Sequence, residues 1–159
     1  MKKAHIILII YFFITNINAQ NTHHSGKVTD AQLKFFKENY NWNSENILII
    51  NFLQPKYNCH YNAYTNLKAS ISWWNKFYND LDLKNIANRY VYSDNKKVKK
   101  IVNLKTHFVD KDEFILKKIF SNEPFCYGVL IINQMGNYEQ KSSEYLVEEV
   151  NYYIDKLSN

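Results

Sequence analysis

Residues 47–52 read Ile-Leu-Ile-Ile-Asn-Phe, a nearly continuous apolar run rich in β-branched side chains. The run lacks the alternation of a strand with one wet face, so it suits a strand covered on both sides. Pro55 closes it. Between Cys59 and Leu83 there is no Gly or Pro, and Tyr64, Leu67, Ile71, Trp74, Tyr78 and Leu81 recur every three or four residues. That spacing predicts an amphipathic helix of about five turns. Lys68 lies off its stripe and should be wet; Trp74 fits the stripe and Trp73 lies at its margin.

Beyond this helix, Arg89–Tyr92 reads as a strand closed by Ser93-Asp94. Val98, Ile101 and Val102 mark a second helix, and Asp110 with Glu113 opens a third through Phe120. Val129–Ile132 is another buried strand. Asn133 to Asn137, with Gly136, makes a turn from which Tyr138–Gln140 returns antiparallel. Ser142 or Ser143 is expected to cap a last helix striped by Val147, Val150, Ile154 and Leu157. Ahead of the central run, Gln20–Val28 is polar and expected to be loose. Thr29 and Gln32 then have capping-box spacing before Leu33, Phe36 and Tyr40. A strand–helix–strand unit gives parallel neighbours, whereas a five-residue turn joins antiparallel ones. The expected class is α/β: a three-layer sandwich whose single mixed sheet has about four strands, with helices on both faces.

The N-terminus has a different composition. Lys2 and Lys3 precede the apolar stretch Ile6–Ile14, and a short polar segment ends in Ala19. This is the layout of a secretory signal, and the stretch is too short to span a bilayer. Residues 1–19 are therefore expected to be a cleaved signal, 20–44 an extension with a short helix, and 45–159 the main domain. The mature chain is expected in the periplasm or outside the cell, with no stable membrane insertion. Its length suits one domain with one core. The formal charge is +5, two units of which come from Lys2 and Lys3, and so mild an excess argues against nucleic acid as partner. Lys96, Lys97, Lys99 and Lys100 alternate with Val98 and Ile101, as on the wet side of a helix. With 3 glycines in the chain there is no glycine-rich nucleotide loop. No Ser/His/Asp set or paired-carboxylate site is visible, and no cofactor is implied.

From about Glu45 to Leu157 the order of elements resembles the thioredoxin fold. Ile49-Ile50-Asn51-Phe52 is similar to that family's first central strand, followed by a loop with a cysteine, Cys59, at the start of a long helix. Val129-Leu130-Ile131-Ile132-Asn133-Gln134-Met135-Gly136-Asn137 resembles its later strand and Gly-containing turn, most like the exported redoxin branch. The family's Cys-x-x-Cys is replaced by Cys59-His60-Tyr61-Asn62, and Asn58 rather than an aromatic residue precedes Cys59. Counting back from Gly136, the family's cis-proline position falls at Tyr127, preceded by Cys126.

The resemblance implies thiol–disulfide exchange, or thiol-dependent partner binding, centred on Cys59 as nucleophile with Cys126 opposed as resolving or bridging thiol. Tyr57 and His60 would line the site, and Tyr127 would stand in the proline's place. A helix N-terminus lowers a thiol pKa. The fold would bring the two cysteines within disulfide reach, with Cα atoms closer than about 7 Å. Partners would be protein thiols or disulfides, or another exported protein. Two alternatives stay open. One is a non-catalytic binding module with a structural Cys59–Cys126 bridge, worth roughly 4 kcal/mol in the chain-entropy model. The other is a copper or zinc site using Cys59, His60, His107 and Cys126, or His23-His24, although these spacings match no known ligand pattern.

Overall fold

The computed structural model describes residues 23–54, 67–93, 98–121 and 125–159. The run at 47 becomes β2 (Ile47–Leu53), and each of its residues is buried. Its neighbours are β3 (Ile86–Tyr92), parallel, and β5 (Tyr127–Asn133), antiparallel. β6 (Asn137–Ser142) folds back on β5 through a turn in which Gly136 has φ +84°, a conformation that glycine adopts without strain. Two edge strands complete the sheet: β1 (His23–Lys27) against β6 and β4 (His107–Val109) against β3. The order is β1-β6-β5-β2-β3-β4.

Side chains on a strand alternate between faces, so β2 feeds two cores. Leu48, Ile50 and Phe52 pack with Phe36, Tyr40, Trp42 and Phe120 on one side. Ile47, Ile49 and Leu53 pack with Trp74, Tyr78, Val150 and Ile154 on the other. The first core is covered by α1 (Asp30–Asn39), the second by α2 (Leu67–Phe77) and α3 (Val147–Ser158). Fully burying each such aliphatic side chain stabilises by about 1.5–3 kcal/mol. The three-layer α/β class is as expected. The parallel pair β2 and β3, the antiparallel hairpin beyond β2 and the returning terminal helix follow the thioredoxin-like order.

Among the described residues the sheet has six strands rather than about four. β1 falls in the stretch expected to be loose. Its sequence, His-His-Ser-Gly-Lys, has no apolar alternation, and what holds it is backbone pairing from His23↔Lys141 to Lys27↔Asn137. β4 is three residues long and carries no periodic signal. The capping box of α1 forms as its spacing requires: Gln32 N–H donates to Thr29 Oγ1 at 3.2 Å and Thr29 N–H to Gln32 Oε1 at 2.9 Å.

Three helices differ from expectation. α2 ends at Phe77, and Tyr78 to Asp80 form a turn, so the apolar spacing through Leu81 outlasts the helix. Of the second expected helix, Val98 is helical and Lys99 to Ile101 form a turn, while residues 94–97 lie outside the described residues. Residues 111–119 pair a 3-10 turn (Lys111–Glu113) with a π-helical turn (Ile115–Ile119), because Asp112 and Glu113 adopt left-handed backbone with φ of 57° and 54°. Asp110 still caps this segment, its carboxylate accepting from Ile115 N–H at 2.9 Å and Leu116 N–H at 3.0 Å. Neither serine caps α3. Ser142 ends β6, Ser143 has φ 71°, and Glu149 reaches back to Leu146 N–H at 2.8 Å.

Candidate functional site at the end of the central strand

The cross-strand register places Tyr127 opposite Leu53, the last residue of β2. One step further out, Gln54 N–H donates to the Cys126 carbonyl at 2.9 Å, and Ser93 N–H donates to the Leu53 carbonyl at 3.0 Å. Cys126 thus lies at the C-terminal end of β2, where the chain leaves the sheet toward Pro55. It is half-buried, and its sulfur is not a free thiol. The peptide bond between Cys126 and Tyr127 is trans. Cys59, Tyr57 and His60 lie outside the described residues.

Tyr127 is half-buried in an aromatic cluster. Its ring meets Trp74 edge-on at 5.7 Å and Tyr145 at 5.6 Å. Trp74 is buried, while Trp73, one position before it, is 45% exposed and packs edge-on against it at 4.7 Å. Successive helix positions diverge by about 100°, so α2 can bury only one of the two indoles. On the other side of the sheet Phe120 stacks on Phe52 at 5.4 Å. A side chain at Gly128 would press on both Phe120 and the Lys141 carbonyl at about 3.0 Å, so the position directly after Tyr127 favours glycine.

Beneath this cluster is a polar network that the sequence reading missed. Asn51 is fully buried in β2, and its Oδ1 accepts from Tyr78 Oη at 2.5 Å and Tyr145 Oη at 3.2 Å. Its Nδ2 donates to Asn88 Oδ1 at 2.6 Å and to the Arg89 carbonyl at 3.1 Å. Burial holds the phenols of Tyr78 and Tyr145 well above their ordinary pKa and raises Tyr90 to about 12. All three are therefore neutral hydrogen-bonding groups. The signal for the network was Asn51 itself, a polar residue inside an apolar run.

The remaining histidines are elsewhere. His107 is on β4, three strands from β5 and so about 14 Å away in the plane of the sheet. It stacks on Tyr90 at 5.0 Å, and desolvation lowers its pKa. His23 is on β1 at the opposite edge, with Nε2 2.6 Å from Glu139 Oε2 and its ring stacked on Tyr153. Neither is brought to Cys126. Among the described residues no three His, Cys, Asp or Glu side chains group as a metal site, and no helix is long and apolar enough to cross a membrane.

No protein-family model matches the chain, and no curated protein matches it. Among solved structures it is similar to one from Neisseria meningitidis provisionally assigned as a thioredoxin. The identity is 17% and the TM-score 0.48, over 85% of this chain and 87% of that one. A likeness at that level says nothing about chemistry. The thioredoxin-like character of the fold rests on the strand order described above.

Proposed function

We propose that this is an exported thioredoxin-like protein whose chemistry is thiol–disulfide exchange between Cys59 and Cys126. The observation that carries the reading is the position of Cys126. It is bonded through its carbonyl to Gln54 at the C-terminal end of the central strand, and its sulfur is not free. Cys59, the other of 2 cysteines in the chain, follows Gln54 after a short connection. Five residues span at most about 17 Å, which keeps Cys59 within reach of the same end of the sheet.

In the reducing direction the Cys59 thiolate attacks one sulfur of a substrate disulfide and the other substrate sulfur leaves as thiolate. The Cys126 thiolate then attacks Cys59 in the mixed disulfide. The substrate departs as a dithiol, two electrons have passed to it, and the Cys59–Cys126 bond is formed. Tyr127, with Tyr57 and His60, would border the substrate.

Equilibration with glutathione tests this directly. A potential near an exported-compartment poise of about −180 to −210 mV is expected for an exchanging pair. A value below about −300 mV would assign the pair to structure and leave a non-catalytic binding module.

A further inference from the structure

The segment leading into β4 holds a side chain in an unfavourable setting. Leu104 has left-handed backbone, φ 55°, and is 64% exposed. A non-glycine residue in that conformation is uncommon, and Asn or Asp adopts it more readily than Leu. The turn is nonetheless rigidly built. Asn103 Oδ1 accepts from the amides of Lys105, Thr106 and His107 at 2.9, 2.9 and 3.1 Å. Asn41 Nδ2 donates to the Leu104 carbonyl at 2.6 Å. The backbone is thus fixed with an apolar tip pointing into water.

The segments beside this tip carry several basic residues. Lys105 adjoins it, Lys99 and Lys100 lie five and four residues before it in sequence, and Lys111 bonds Asn39 Oδ1 at 3.1 Å, two residues from Asn41. All four lysines are exposed. Of the nearby acids, Asp112 is exposed, but Glu113 pairs with Lys117 and Glu38 with Lys34. Asp110 is buried and bonded inward to the Ile115 and Leu116 amides.

We infer that this turn docks the protein on an anionic phospholipid surface, Leu104 entering the interface while Lys99, Lys100, Lys105 and Lys111 face the headgroups. An apolar tip with exposed cations in the segments beside it is a combination that binds such surfaces, each lysine adding attraction that decays within a Debye length. The turn leads into the edge strand β4, whereas Cys126 lies across the sheet at the C-terminal end of β2. A docked molecule would therefore hold its cysteine end away from the bilayer.

The test is sedimentation of the purified full chain with vesicles of phosphatidylglycerol and phosphatidylcholine, against vesicles of phosphatidylcholine alone. Binding is expected only to the anionic vesicles and should fall as salt rises. Leu104→Asn suits the left-handed backbone, so its urea midpoint should match or exceed the parent's while vesicle affinity falls about tenfold or more. Lys105→Glu should lower affinity at least as much. No binding, equal binding to neutral vesicles, or binding that neither substitution changes (through the apolar segment 6–14, for example) would overturn the inference. So would retention of both variants on a heparin column as strong as the parent's, with vesicle binding unaltered, which would indicate a polysaccharide site elsewhere.

Discussion

Asn51 is where the core of this protein is least like oil. A buried amide surrounded by Ile and Leu is tolerable only when its donors and acceptor are used, and here two tyrosine hydroxyls, Asn88 and the Arg89 carbonyl use them. The partners come from three parts of the chain: β3, the turn after α2 and the segment before α3. Replacing Asn51 with Val conserves the strand but takes the shared amide acceptor from two buried hydroxyls and the donor from Asn88 and the Arg89 carbonyl. The expected loss is about 2–4 kcal/mol in urea unfolding. Tyr145→Phe removes one donor whose partner keeps another, and should cost only about 1 kcal/mol. Similar losses for the two variants would mean that Asn51 does not organise the network.

At the scale of elements, α2 shows what apolar spacing can and cannot tell. Trp74 is 2% exposed and Tyr78 4%, as their places on the stripe require. Ile71, on the same stripe, is only half-buried, and the position facing the core there is Ser70. Trp74→Ala should therefore cost about 3–5 kcal/mol, whereas Ile71→Asp should cost about 1 kcal/mol or less. Urea midpoints of the two variants decide the facing of the helix, and an Ile71→Asp protein as damaged as Trp74→Ala would contradict it. The four central strands were legible because buried strands declare themselves through β-branched runs and turn residues. β1 and β4 were not, since an edge strand is held by its backbone and needs no pattern of side chains. The stretch after Asp110 was half legible: the cap forms, but two left-handed residues that no propensity foretells divert the helix. At the candidate site, Cys126 and Tyr127 were placed by the order of strands. The cluster of Trp74, Tyr127 and Tyr145 depends on distant segments meeting, which one-dimensional spacing does not record.

Taken whole, the molecule has an unusual share of its core in phenols. Burial raises the pKa of Tyr40, Tyr78, Tyr90, Tyr92 and Tyr145 above 10, the phenols of Tyr78 and Tyr145 most securely enclosed. The folded state thus resists ionisation that the unfolded chain accepts. Their contribution is fully present below pH 10 and is lost as pH climbs from there toward the raised values. Stability against urea should be level from neutrality to about pH 9.5 and then fall steeply, with phenolate absorbance appearing together with unfolding rather than before it. Phenolate signal from all tyrosines ahead of unfolding would contradict this.

The pairing of β1 with β6 also sets a timetable. His23 and Glu139, which bridge the two strands, are 116 positions apart. Ribosomes add about 5–20 residues per second, so the first strand to be made waits roughly 6 to 23 s for its partner. A sheet whose first and last strands must meet has high contact order and closes late. During that interval the nascent chain carries an unpaired β1, and whatever handles the chain while it is being made meets it as an open polymer rather than a finished domain.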